Sequence, residues 1–298
     1  MRTFVSLNRE IQSVLSGIFA SRWLHRLLRH RLAAVGGVML VLVVLCAVFA
    51  PLLSGYSPTR GDFGDVDAAP SMKHPLGTDG NGRDDFSRLV HGGRVSLAVG
   101  IGSTVIAALI GTVLGAISGY FGGVTDLIIQ RFTELVMTFP WLLLIIVVVS
   151  FIGPSIFNVM MVMGLLGWPG FCRLVRGQVL VVREQPFVEA VRAMGANHGL
   201  ILVRPVSPNR LPHFIVAATR WLAGAILTEA ALSFLGLGVQ APTPSWGSML
   251  QAAQTVEVLV SKPWRWIAPG MAIALSVLAI NFVGDGLRDA FDPKSNLI

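Results

Sequence analysis

The chain has 298 residues, of which 53% are hydrophobic and only 13% are charged, and its mean hydropathy is +0.69. Soluble domains carry about 25% charged residues, so this chain has too little polar surface to fold as a globule in water. The net charge of +7 comes from arginines placed beside apolar segments, a pattern that orients membrane proteins and does not indicate nucleic acid. The sequence therefore predicts an all-α membrane protein whose main surroundings are a lipid bilayer.

The N-terminal segment, residues 1–31, carries six arginines and a single acidic residue, Glu10. Residues 10–31 are amphipathic and end in the run RWLHRLLRHR. One interpretation is a helix lying on the cytoplasmic lipid surface, with its arginines toward the headgroups. The other is ordinary positive charge flanking the first span. The sequence leaves both interpretations open.

Six apolar segments are long enough to cross a bilayer as helices, since about 20 residues span the hydrocarbon core. Five contain no charged residue, whereas the fifth in chain order carries Arg220 and Glu229. The predicted spans are 32–50, 95–119, 135–153, 154–172, 211–238 and 266–284. We assign 32–53 to the first membrane helix, 54–92 to an extracytoplasmic loop, 93–288 to a five-helix core and 289–298 to a cytoplasmic tail.

The distribution of arginine predicts the orientation of these spans. Residues 1–31 and 173–210 each carry six arginines and few acidic residues, whereas 54–92 carries six aspartates. Loops rich in Arg and Lys stay on the cytoplasmic side. We therefore expect both termini and the 173–210 loop to be cytoplasmic, and 54–92 and 241–264 to lie outside.

The second span contains a row of small residues at four-residue spacing: Ala107, Gly111, Gly115 and Gly119. This spacing keeps them on one face of a helix, where missing side chains let another helix approach closely. Glycine is also simply common in membrane helices. We favour a tight helix–helix seam.

Glu229 is a candidate residue of a solute pathway. A charge at the centre of a span costs roughly 3 kcal/mol on insertion scales, so such residues face protein or water. Arg220 lies nine residues before Glu229, about 13 Å away along the helix axis and half a turn around it, so the two side chains cannot pair. Glu229 lines a path near the outer half of the membrane, forms a structural hydrogen bond to a neighbouring helix, or lies at a span boundary that is placed one turn wrong.

No residue pattern indicates catalysis, a cofactor or a metal on this chain. The lysines, Lys73, Lys262 and Lys294, do not follow a phosphate-binding loop, and no HExxH sequence occurs. Cys46 and Cys172 lie in apolar stretches without the spacing of a zinc site. We therefore do not expect the chain itself to be an enzyme.

The 173–210 loop carries a pattern typical of a docking element. Residues 187–194 read as a short amphipathic helix, Gly195 ends it, and a second apolar run follows before Pro205 and Pro208. A helix–Gly–helix that projects from a membrane bundle offers a small apolar face to a groove on a soluble partner.

The sequence EAVRAMGA at 189–196, followed by SPN at 207–209, resembles the cytoplasmic loop signature of binding-protein-dependent ABC importers. The chain departs from that signature at Val191, Ser207 and Pro205, which affect the second helix and leave the glycine turn intact. Segments 76–88, 231–238, 242–247 and 284–293 further resemble the C-type permease of dipeptide, oligopeptide and nickel importers. The resemblance runs from about residue 30 to the C-terminus.

This resemblance implies a type I ABC importer permease fold with six transmembrane helices in a prokaryotic inner membrane. It implies four partners: a homologous B-type permease, two ABC ATPase subunits that hold ATP and Mg²⁺, and an extracytoplasmic substrate-binding protein. The implied ATPase-coupling residues are Glu189, Ala190, Arg192, Gly195, Ala196 and Pro208.

The resemblance also points to an extracytoplasmic motif that includes Asp79, Arg83, Asp84 and Trp246. The charged residues, with Arg88, either contact the binding protein or stabilise a local turn, and we favour the turn. For Trp246 we favour an anchor at the membrane interface over a gate.

The expected solute is a di- or oligopeptide. Import of nickel or a metal chelate by the same architecture is an alternative. A membrane-embedded enzyme or scaffold is the alternative from another class.

Overall fold

The computed structural model describes residues 30–186, 188 and 211–291, with the backbone alone for 211–213. Within these residues the chain is helical and forms no strands. The helices, numbered α1 to α10, are Arg31–Val48, Ala50–Leu53, Asp85–Phe121, Gly123–Thr138, Trp141–Ile152, Ile156–Arg183, Leu211–Phe234, Trp246–Ala252, Val256–Ser261 and Trp264–Phe291. The predicted interfacial helix at 10–31 falls almost wholly outside the described residues.

Five helices are long and apolar enough to cross a membrane: α1, α3, α6, α7 and α10. They confirm the predicted spans at 32–50, 95–119, 154–172, 211–238 and 266–284, although α3, α6 and α10 extend beyond the apolar stretches. The 37 residues of α3 measure about 55 Å, so this helix projects well beyond a hydrocarbon core of about 30 Å.

The predicted continuous helix at 135–153 is wrong in one respect, because the structure breaks it. Helix α4 ends at Thr138 and α5 begins at Trp141, with a bend of 85° between them. The cause is Pro140, whose ring excludes the helical conformation for the residue before it. Phe139 accordingly has an extended backbone, with ψ at 140°.

The predicted glycine seam is confirmed, and its partner is α6. A Cβ atom at Gly111 would lie 2.4 Å from Phe171 Cβ, and one at Gly115 would lie 2.5 Å from the Cys172 carbonyl oxygen. At Gly119 the nearest atom would be Val179 Cβ, at 2.6 Å. Because any side chain on this row would overlap α6, the two backbones are in direct contact.

The seam also determines the topology. Residue numbers rise together along both helices, from Gly111 beside Phe171 to Gly119 beside Val179, so α3 and α6 are parallel. Two parallel spans require the chain between them to return across the membrane. The bent pair α4–α5 is therefore one broken span, and the described helices cross the bilayer six times.

The remaining spans pack around this pair. Helix α7 runs antiparallel to α3, with Ile226 against Gly100 and Glu229 against Ser96. Helix α10 packs between α7 and α1, and His30 at the start of α1 lies 3.3 Å from Asp289 near the end of α10. The first and last described residues thus lie on the same side of the bundle, together with the ends of α6 and α7 that flank 184–210.

We expect Gly115→Ala to destabilise the fold by about 1–3 kcal/mol, because the added methyl group overpacks the seam. The matched control is Gly177→Ala on α6, where a Cβ would meet no atom within 4 Å. There the change should be neutral or stabilise by up to about 1 kcal/mol through helix propensity. Thermal unfolding of the purified protein in detergent measures both, and equal melting temperatures would contradict the seam.

Candidate functional site

The predicted ATPase-coupling residues, Glu189, Ala190, Arg192, Gly195, Ala196 and Pro208, lie outside the described residues. The beginning of their loop is described, and it is packed on the bundle. Val188 is 1% exposed and lies in a cluster with Tyr120, Val175 and Val179. Phe214, on the first turn of α7, packs on the same cluster. Both ends of the loop therefore rest on the C-terminal ends of α3 and α6.

Two arginines of α6 tie this helix to its neighbours beside that cluster. Arg176 donates two hydrogen bonds of 2.6 Å to the two carboxylate oxygens of Asp126 on α4. The Arg183 guanidinium donates to the carbonyl oxygens of Gly119 and Tyr120, at 3.2 and 3.4 Å. Bidentate contacts of this kind have a defined geometry, so α3, α4 and α6 are joined where the loop emerges.

Sequence reasoning missed the pair of Asp126 and Arg176. Fifty residues separate them, and neither lies in a recognisable motif. The only signal available was that Asp126 lies between two apolar spans and therefore needs a partner or water.

Glu229 is fully buried between α7 and α3. Its two carboxylate oxygens accept hydrogen bonds from Ser96 Oγ at 2.8 Å and from Ser233 Oγ at 2.7 Å. The serines accept in turn from the backbone N–H groups of Trp246 and Val239, at 3.3 and 3.1 Å. The carboxyl group thus joins α3, α7 and the start of α8 in one closed network.

This geometry supports the structural interpretation of Glu229. A side chain with no exposed surface does not line a path in this conformation of the subunit, and its oxygens are already satisfied. Arg220 points elsewhere, with one guanidinium nitrogen 3.5 Å from an Asp285 oxygen. The pathway role of Glu229 stays a prediction without a contact to support it.

The predicted extracytoplasmic motif forms a buried turn. Asp79 accepts from the side chain and backbone N–H of Arg83 and from the backbone N–H of Asn81, all at 2.7–2.9 Å. Arg88 Nε lies 3.6 Å from the same carboxylate. Burial alone would raise the pKa of Asp79, but these hydrogen bonds and the charge of Arg88 lower that pKa below its ordinary value.

Asp84 caps the N-terminus of helix α3. Its carboxylate accepts from the backbone N–H of Ser87 at 2.7 Å, as an N-terminal capping residue does. The other oxygen lies 2.8 Å from His74 Nδ1. Asp79 and Asp84 are each 3% exposed, and both carboxylates are hydrogen-bonded within the turn. This arrangement fits the local-turn interpretation. Neither is available to a partner.

The preferred role of Trp246, an anchor at the membrane interface, is wrong. The indole is 3% exposed. Its Nε1 donates to the carbonyl oxygen of Leu89 at 3.0 Å. The ring packs on Gly93, where a Cβ atom would approach it to 3.0 Å. The absence of a side chain at Gly93 gives the indole its site, so Trp246 fastens α8 to α3 inside the protein.

Comparison with known proteins agrees with this architecture. Residues 111–296 match the model of the "binding-protein-dependent transport system inner membrane component" family. Residues 19–71 match the "N-terminal TM domain of oligopeptide transport permease C".

Three relatives cover most of the chain. A Brucella suis protein named as a peptide permease is 46% identical over 277 residues, 93% of this chain and 92% of its own. A dipeptide transport system permease protein of Alkalihalophilus pseudofirmus is 42% identical, covering 90% of this chain and 88% of its own. An oligopeptide transport system permease protein of Bacillus subtilis is 40% identical, covering 92% and 90%.

We expect Glu229→Ala to destabilise the subunit by about 2–5 kcal/mol, since it leaves two buried hydroxyl groups unpaired and opens a cavity. Glu229→Gln keeps an oxygen and the volume, so its loss should be smaller. Thr228→Ala, at a partly exposed neighbour whose hydroxyl bonds to the Gly224 carbonyl oxygen of its own helix, is the control and should change stability little. Thermal unfolding ranks the three, and an Ala variant as stable as the control would refute the network.

Proposed function

The chain belongs to the family of binding-protein-dependent transport system inner membrane components, and from that membership we propose that it imports peptides as one half of a two-permease channel. It is the permease subunit of an ABC importer. The observation that carries the peptide assignment is the 40–46% identity, over at least 90% of this chain, to proteins named as peptide, dipeptide and oligopeptide permeases.

In this proposal the chain holds no ATP site and works with a homologous B-type permease, two ABC ATPases that bind ATP and Mg²⁺, and an extracytoplasmic binding protein. The arginine-rich side of the bundle faces the cytoplasm of a prokaryotic cell, with both termini there. Two features support this arrangement. Arginines follow the positive-inside rule, and the ends of α6 and α7 that flank 184–210 lie on the same side as Arg31 and Phe291.

The coupling step uses the loop around Glu189 and Gly195. Closure of the ATPases moves the loop, and the loop moves the inner end of α6. Because α6 touches α3 along the glycine row and holds α4 through Arg176 and Asp126, three spans move together. ATP shifts the equilibrium between the outward-open and inward-open states only through contacts that differ between these states. The loop therefore stays docked on the ATPases while it moves.

The experiment is uptake of radiolabelled leucyl-leucine by cells that lack this subunit and carry it back on a plasmid. The parental chain should restore uptake. Gly195→Pro and Glu189→Lys should still insert and assemble but reduce uptake at least about tenfold, because a disturbed loop no longer couples ATP hydrolysis to the spans. Exposed Lys73→Gln is the control. Uptake at the parental rate in either loop variant would contradict the assignment of the loop.

Titration of the binding protein separates the possible solutes. Saturable binding of peptides supports the proposal, whereas binding of Ni²⁺ or a nickel chelate without peptide binding replaces it with metal import. A chain that purifies without any ATPase subunit would favour the membrane-embedded enzyme or scaffold instead.

A further inference from the structure

The cytoplasmic half of the broken span presents charged side chains to the outside of the subunit. Arg131 and Glu134 of α4 form an ion pair of 3.0 Å, yet their side chains are 74% and 50% exposed. Arg131 lies eight residues into α4, about 12 Å along the helix axis. Arg131 and Glu134 precede the apolar stretch that begins at residue 135, so they lie near the edge of the membrane, and because a charge in lipid is costly they face protein or water.

These charges line a cavity between α4 and α6. The cavity has a volume of about 460 Å³, and its lining includes Arg131, Glu134 and Arg173. On its floor, Asp126 and Arg176 satisfy each other. Arg173 is exposed, and in the described ranges no carboxylate lies within ion-pair distance of it. The cavity thus contains two ion pairs, Arg131 with Glu134 and Arg176 with Asp126, together with one arginine, Arg173, that has no such partner in the described ranges.

A second cavity of about 330 Å³ continues the first toward the middle of the bilayer. Its lining includes Phe139, Trp141 and Trp221 at the break between α4 and α5. The linings of the two cavities lie within one helical turn of each other on both walls: Glu134 is followed by Met137 on α4, and Arg173 is preceded by Gly170 on α6. We call the two together the α4–α6 groove.

We infer that the α4–α6 groove is the inner half of the peptide path in this subunit. Arg173 binds the carboxylate of the peptide, the pair of Arg131 and Glu134 guides its charged ends, and the aromatic cleft at Phe139, Trp141 and Trp221 receives its apolar side chains.

This inference rests on the proposed function, and it identifies the substrate contacts. Charge complementarity argues for the occupant, because a peptide carries both signs of charge and apolar side chains, as the groove does. Lipid chains would leave the charges unsolvated. The cavity lies at the break, between Phe139 and Trp141 on one wall and Pro169 and Gly170 of α6 on the other.

Uptake by cells carrying the complete transporter tests the charged contact. Arg173→Gln should lower uptake of leucyl-leucine at subsaturating concentration about tenfold, the usual effect of losing one hydrogen bond to a charged group. Arg220→Gln is the matched control, because Arg220 is equally an exposed arginine of a membrane helix but pairs with Asp285. Uptake that falls equally in both variants, or in neither, overturns the inference.

Cysteine labelling in inside-out vesicles tests whether the groove contains water. Glu134→Cys and Met137→Cys are made without the native Cys46 and Cys172, and the full transporter is treated with a membrane-impermeant cationic methanethiosulfonate. Both positions should react, and leucyl-leucine with binding protein and ATP should slow the reaction. Val41→Cys, on the exposed apolar face of α1, should not react.

Each other labelling result overturns the inference. Labelling only in the absence of the second permease would make the groove a subunit contact. No labelling in either case would make it lipid-facing, and labelling that peptide does not slow would make it a water-filled space off the path. Failure of the proposed function is separate, because in that case the parental chain imports no peptide at all.

Discussion

The direct contact between the backbones of α3 and α6 is the constraint on which the rest of the structure depends. Gly111, Gly115 and Gly119 leave the C-terminal part of one face of α3 without side chains, and van der Waals packing is the main attraction available to helices in lipid. The contact runs from the middle of α3 to its C-terminal end. Because the two helices are parallel, the chain between them must cross the membrane once, and Pro140 bends that crossing. The seam thus determines both the number of spans and the position of the groove.

The polar groups divide into two classes according to what they contact. Glu229, Asp79 and Asp84 are buried and fully paired, and they hold helix ends and turns in place. Arg131, Glu134 and Arg173 are exposed on membrane helices, where burial in lipid would be costly. The first class contributes to stability, and we propose that the second contacts the solute. The pair of Asp126 and Arg176 belongs to neither class, because it is partly buried at the base of the groove, beside the start of the loop that we propose couples to the ATPases.

Hydropathy and spacing predicted the six spans and the glycine seam, because both depend on residues close together along one helix. Hydropathy did not predict the bend, because a hydropathy average counts Pro140 as one weakly polar residue among apolar ones. It takes no account of the restriction that the proline ring places on the backbone of Phe139. The site of Trp246 depends on Gly93, which lies more than 150 residues earlier in the sequence. Arg176 pairs with Asp126, which lies 50 residues earlier on another helix. Contacts of this kind are set by packing between helices, so no local pattern records them. The pair of Asp79 and Arg83 in the extracytoplasmic turn was expected because the two residues lie four positions apart, whereas the contact of Asp84 with His74, ten residues earlier, was not.

The most direct test of the account is the side of the membrane from which four single-cysteine variants react with an impermeant maleimide, with Cys46 and Cys172 replaced. Gly80→Cys and Pro154→Cys precede the outer ends of α3 and α6, whereas Thr125→Cys and Glu184→Cys follow their inner ends. We expect the first two to react in intact spheroplasts and the last two only in inside-out vesicles. If Pro154→Cys reacts only from the cytoplasmic side, then α3 and α6 are not parallel, the bent pair does not cross the membrane, and the account is wrong.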